Sequence, residues 1–169
     1  APLMLYTLGS VDLNAEHIVS IVGTRHATPY GSRFCETLLS DLSERLPGLV
    51  TVSGLAYGID IAGHRASLRH GVPTVGVLAH GLNRIYPTAH RAEATAMARD
   101  GGALVTDYRS TDDIHRNNFL ARNRIIAALS DCTVVVESAS HGGSLVTAAL
   151  AQSYNRDVFA VPGRVYDSY

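Results

Sequence analysis

Lysine is missing from the chain altogether: all 14 basic side chains among its 169 residues are arginine. A Walker A phosphate loop ends in lysine, so that nucleotide-binding device is excluded. Arginine grips phosphate through a planar fork and stacks on bases, so its exclusive use fits an anion-binding patch. The coding composition of a genome would explain it equally well. Cationic excess is lacking too. Fifteen acidic residues bring the formal charge to −1, which rules out a uniformly basic surface and leaves a local patch to meet any polyanion. Tryptophan is absent and cysteine scarce. Cys35 and Cys132 stand far apart without metal-ligand spacing, and are expected as buried core thiols of a reducing compartment. No apolar run reaches the length of a membrane span, and no signal-peptide pattern opens the chain. A cytoplasmic protein with no membrane partner is therefore expected.

What is present is ordinary for a globular domain: 46% hydrophobic and 17% charged residues, enough for one sizeable core. Residues 1–16, with Leu3-Met4-Leu5-Tyr6, read as an N-terminal strand or extended arm packed on the domain, and 17–169 as a single domain. Ile18-Val19-Ser20-Ile21-Val22 reads as a central strand. Thr28-Pro29 opens a helix with an apolar stripe from Phe34 to Leu46, and Pro47-Gly48 ends it. Further strands are expected at Leu49–Val52, Thr74–Leu78, Ala103–Thr106, Cys132–Val136 and Asp157–Val161. Helices are expected to begin near Gly58, Tyr86-Pro87-Thr88, Arg116 and Gly142. Such alternation predicts an α/β fold: a Rossmann-like, doubly wound, mainly parallel sheet of about six strands with helices on both faces.

The stretch Arg116-Asn117-Asn118-Phe119-Leu120-Ala121-Arg122-Asn123-Arg124 concentrates three arginines, three asparagines and one ring at a helix start. Phe119 and Arg122 are three apart and Asn118 and Arg122 four apart, so they share one helical face. Free backbone N–H groups and the positive dipole end lie in the same turn. This suits a phosphate with a base attached, hence a nucleic acid strand. A solvated first turn with Phe119 tucked into the core is the competing reading.

In a doubly wound sheet all strand-to-helix loops share the carboxyl edge. Gly23-Thr24-Arg25, Ser53-Gly54, His80-Gly81, 107–119, Gly142-Gly143-Ser144 and Pro162-Gly163 fall there, and their glycines would let backbone amides approach a ligand. The candidate nucleic-acid-binding residues are Gly23, Thr24, Arg25, Ser53, Gly54, Arg116, Asn118, Phe119, Arg122, Arg124, Gly143 and Ser144. No G-x-G-x-x-G, G-x-S-x-G or H-E-x-x-H motif occurs, and the eight histidines lack ligand spacing. No cofactor, metal or catalytic residue is expected, with Glu137 the one carboxylate at the edge worth watching as a catalyst.

With those loops laid out, the chain resembles the DprA/Smf family of DNA-processing proteins. The matching residues are Ile21-Val22-Gly23-Thr24-Arg25, Thr28-Pro29-Tyr30-Gly31, Ser53–Asp60 with Ala62 and His64, and Arg84-Ile85-Tyr86-Pro87. They continue with Asn118-Phe119, Arg122–Ala127, Gly143-Ser144-Leu145 with Thr147-Ala148, and Val158–Gly163. The resemblance implies a Rossmann-like domain that binds single-stranded DNA, protects incoming strands and loads the RecA recombinase in natural transformation. It implies that Arg25, Arg116 and Phe119 form the DNA pocket, and leaves a homodimer open. Three positions depart from the family pattern: Leu120 stands for proline, Arg116 for lysine and His90 for asparagine. The alternative is an enzyme, a nucleotide N-glycosidase resembling the family with a P-G-G-x-G-T-x-x-E motif, whose glutamate would fall near Thr147. Losing that carboxylate argues against it.

Overall fold

The β-branched runs form one seven-stranded sheet, and the stripes between them form its helices. A computed structural model describes residues 2–163; Ala1 of the arm and the last six positions of the 17–169 boundary lie outside it. The strands are β1 (Tyr6–Gly9), β2 (His17–Val22), β3 (Leu49–Ser53), β4 (Thr74–Val77), β5 (Ala103–Thr106), β6 (Cys132–Val135) and β7 (Asp157–Ala160). The helices are α1 (Pro29–Arg45), α2 (Ile59–Arg69), α3 (Arg91–Arg99), α4 (Arg116–Leu129) and α5 (Gly143–Ser153). Strand order is β1-β5-β4-β3-β2-β6-β7. All pairs are parallel except β1 on β5, where Tyr6 lies opposite Thr106.

The strand beyond the expected six is β1. It lies in the N-terminal segment expected as a strand or extended arm, and all four of its residues are exposed, so no buried alternation marks it as a member of the sheet. Tyr86-Pro87-Thr88 also differs from expectation: it leads into a 3-10 turn at Thr88–His90, and the α-helix starts only at Arg91.

Alternation within the strands sorts the core. Ile18, Val22, Val50, Val52, Val75, Val77, Val105 and Val135 pack with Ile125 and Ile126 of α4 on one face. Val19, Ile21, Leu49 and Val134 pack on the other with Cys35, Leu39, Ile59 and Ala66 of α1 and α2, and Leu104 packs there with Ala94 and Met97 of α3. Thr28 and Pro29 start α1 as their chemistry requires, the Thr28 hydroxyl accepting from Gly31 N at 3.2 Å.

Between α2 and the sheet runs a buried polar seam. Thr51 Oγ1 lies 2.7 Å from both Ser67 Oγ and Thr74 Oγ1, and His64 Nδ1 lies 2.8 Å from Thr74 Oγ1. Pairing satisfies these hydroxyls and fixes α2 on β3 and β4. Burial holds the His64 imidazole neutral, pushing its pKa from 6.5 down to about 3.

The unfolded chain therefore takes up a proton below about pH 6.5 that the folded chain refuses until about pH 3. The His64 contribution is complete above that window and is lost as pH falls through it. Urea unfolding of His64→Gln across the window should give a flatter stability–pH curve than the parent chain.

Candidate nucleic-acid interface

The sheet itself makes the crevice. β2 continues through α1 to β3 on one side, whereas its other neighbour, β6, continues through α5 to β7 on the opposite side. Loops leaving two adjacent parallel strands in opposite directions open a cleft beyond their carboxyl ends. A cavity of about 890 Å³ occupies that place, walled by the β2 loop, the first turns of α4 and the loop entering α5.

Eight of the twelve candidate residues line it together: Gly23, Thr24, Arg25, Arg116, Phe119, Arg122, Gly143 and Ser144. Arg25 and Arg116 are exposed, while Phe119 is half-buried. The Arg25 guanidinium carbon sits 5.9 Å from the centre of the Phe119 ring, within cation–π range. Tyr86 meets the same ring edge-on, with centroids 5.6 Å apart. The sequence pattern offers Tyr86 only as part of a helix start, and nothing local signals that it holds Phe119 in place.

Four candidates lie elsewhere. Ser53 is buried, its hydroxyl donating to Ile21 O at 2.5 Å. Gly54 lies beneath the Arg122 guanidinium, which a Cβ there would meet at 2.5 Å. The Asn118 amide donates to Ala79 O and Asp113 O, at 3.4 and 3.3 Å. Arg124 turns away to Asp107 at 2.5 Å.

Expected bare amides are also fewer than the glycines suggest. A Cβ on Gly23 would meet Ile59 at 2.5 Å, and one on Gly81 would meet Arg109 O at 2.5 Å. Thr24 N is already bound to Glu137 O at 2.6 Å. These glycines, like Gly54, admit protein atoms rather than ligand. Gly142 and Gly143 differ, with nothing nearer than 3.6 Å to an added Cβ, and they keep the α5 entrance open.

Arg122 forms the floor. It is 4% exposed, and its guanidinium donates to Gly54 O at 2.7 Å and to Val77 O, the carbonyls closing β3 and β4. Its Nε donates to Asn123 Oδ1 at 3.2 Å, and the Asn123 amide donates to Gly143 O at 3.2 Å, tying α4 to the entrance of α5. Burial draws the Arg122 pKa down to about 10, against the pull of Asp60, so the group stays charged at neutral pH. Asp60 is buried beside it, accepting from Gly54 N at 3.1 Å. Burial raises the pKa of its carboxyl, and the Arg122 charge opposes that rise. Three guanidinium groups thus face one carboxylate in the cavity lining, an excess of positive charge in a chain of formal charge −1.

Glu137, the one carboxylate considered as a catalyst, is occupied otherwise. It accepts from both the N–H and the hydroxyl of Thr28, ahead of α1. Among the described residues, no group of three or more His, Cys, Asp or Glu could hold a metal, and no helix is long and apolar enough to cross a membrane.

The family model for DNA recombination-mediator protein A matches residues 1–169. The chain belongs to the DNA recombination-mediator protein A family. It is 42% identical over 170 residues to a putative DNA processing protein DprA of Mycobacterium tuberculosis, covering 99% of this chain but 43% of that one. DprA of Streptococcus pneumoniae superposes with a TM-score of 0.90 at 36% identity, covering 99% of this chain and 58% of that one. This chain thus spans about half the length of those two relatives. DNA processing protein A of Helicobacter pylori, known for its single-stranded DNA binding mode, superposes at 0.89 with 33% identity. The coverage there is 99% of this chain and 75% of that one.

In this member of the family the rim and the floor arginines should separate experimentally. Arg122→Met leaves the Gly54 and Val77 carbonyls without their donor. It should lower stability to urea by about 1–3 kcal/mol per carbonyl. Arg25→Ala, at an exposed position, should stay within about 0.5 kcal/mol of the parent.

Proposed function

We propose that this domain binds single-stranded DNA in the crevice beyond β2 and β6. The observation that carries the reading is the meeting of Arg25, Arg116 and the Phe119 ring around one cavity. Guanidinium groups supply phosphate contacts that are indifferent to sequence. An aromatic face supplies stacking, which every base can use. Gly143 and Ser144 at the start of α5 add backbone N–H groups at the positive end of a helix dipole. The single-stranded DNA binding of the Helicobacter pylori relative and membership of the family support the same reading.

On that footing the chain works as part of a DNA-processing protein in natural transformation, shielding incoming strands and loading the RecA recombinase. The recombinase partnership, self-association and a cytoplasmic setting draw on family membership. The two free cysteines accord with a reducing compartment. The domain is a binding module rather than an enzyme. The N-glycosidase alternative needs a free carboxylate near the bound sugar. Thr147, near which the motif's glutamate would fall, donates to Gly143 O at 3.1 Å, and Glu137 serves Thr28.

Oligo-dT affinity measured across a salt series tests the reading. Arg25→Ala and Arg116→Ala should each weaken binding. Each should also flatten the dependence of log K on log salt, by up to about 0.7 for every phosphate left without its cation. Phe119→Ala should cost about 1–3 kcal/mol with the slope retained. Single strands should bind in preference to duplex. Unchanged affinity in both arginine variants would falsify the assignment.

A further inference from the structure

Beyond Arg25 the crevice does not end. A second basin, of about 710 Å³, adjoins the first, and Arg25 and His26 line both. Its other walls include Tyr57, His90, Arg65 and Arg69. Resting on the single-stranded DNA reading above, we propose that a strand held at Phe119 passes over Arg25 into this basin, where Tyr57 stacks a further base.

The two basins repeat one design. In the first, a ring beside Arg25 is held edge-on by another aromatic, Tyr86 against Phe119. In the second, the Tyr57 ring is held edge-on by His90, with centroids 4.9 Å apart and planes at 69°. His90 is itself anchored, its buried Nδ1 lying 2.9 Å from Leu55 O. Tyr57 remains 50% exposed, and among the described residues its hydroxyl makes no hydrogen bond. A large, rigid, half-exposed ring on a groove wall is what a sequence-tolerant stacking platform needs.

The ridge between the basins is fixed as well. Gly58 takes φ +79°, and a Cβ on it would collide with Thr24 O and lie 2.5 Å from the Arg25 carbonyl carbon. Ile59 N donates to Thr24 O at 3.0 Å. The turn bearing Tyr57 is thus seated directly on the loop bearing Arg25, so the two backbone segments keep a constant relation.

The charges differ between the basins, and the difference shapes the test. Arg65 pairs with Glu93 at 2.7 Å, and Arg69 pairs with Glu36. Their cations are largely offset, so Arg25 remains the phosphate ligand at the ridge and the far basin holds its base mainly by stacking. Its contribution should therefore depend on strand length and little on salt.

The experiment titrates thymidine oligonucleotides graded from about three to about twenty residues against the parent chain, Tyr57→Ala, Tyr57→Phe and Phe119→Ala. For the shortest strands Tyr57→Ala should match the parent. For longer ones it should fall behind by roughly fivefold or more, with an unchanged salt slope and full recovery in Tyr57→Phe. Phe119→Ala should be weakened at every length. Tyr57→Ala tracking the parent at all lengths overturns the second basin and leaves the first intact. Equal loss at all lengths overturns it too, by assigning Tyr57 to the first cavity. Failure of the parent chain to bind any oligonucleotide instead defeats the reading on which the proposal rests.

Discussion

A guanidinium sealed under the crevice sets the geometry of everything above it. Arg122 takes up the carbonyls that β3 and β4 leave unpaired at their carboxyl ends, groups that could not stay buried without a donor. Desolvating a cation costs several kcal/mol unless hydrogen bonds and an opposite charge compensate. Here both do, through two main-chain oxygens, the Asn123 amide and the nearby Asp60 carboxylate. Asn123 carries the connection onward to Gly143. Arg122 and its neighbour Asn123 thereby register three strand-to-helix connections against one another, and Arg116 starts the helix that carries them.

The rim arginines work under the opposite regime. Arg25 and Arg116 are exposed, so water solvates their charge and leaves it open to an anion. Cations of one kind in the floor and at the rim thus meet opposite surroundings: the buried one is taken up by main-chain carbonyls, while the exposed ones face solvent. Phe119 sits where the two regimes meet, half-buried against Tyr86 and facing Arg25. The ring is neither sealed in the core nor fully solvated: part of it packs on Tyr86 and part of it lines the cavity.

Strand and helix order is legible in the sequence because periodicity and capping are local: Thr28-Pro29 and Leu49–Val52 declare themselves within a few residues. The convergence of Arg25 and Arg116 is legible too, since parallel topology puts every strand-to-helix loop at one edge. Direction along a helix is not. Arg122 and Arg124 are two apart on α4, so one enters the floor and the other turns to Asp107, a choice made by partners distant in sequence. Glycines mislead for a related reason. Sequence reveals that a Cβ is missing but not what fills its place, and at Gly23, Gly54 and Gly81 the filling is protein. β1 is only half legible: the arm offers a strand or an extended segment alike, and a fully exposed edge strand carries no burial pattern to decide between them.

The rim's composition reaches into regulation. Cells often weaken a protein's hold on nucleic acid by acetylating lysine, which erases the ammonium charge. The permanent cations around this crevice are all guanidinium groups, and the chain holds no lysine at all. An acetyltransferase finds no side-chain amine in this chain to modify, and lysine acetylation leaves these guanidinium charges untouched.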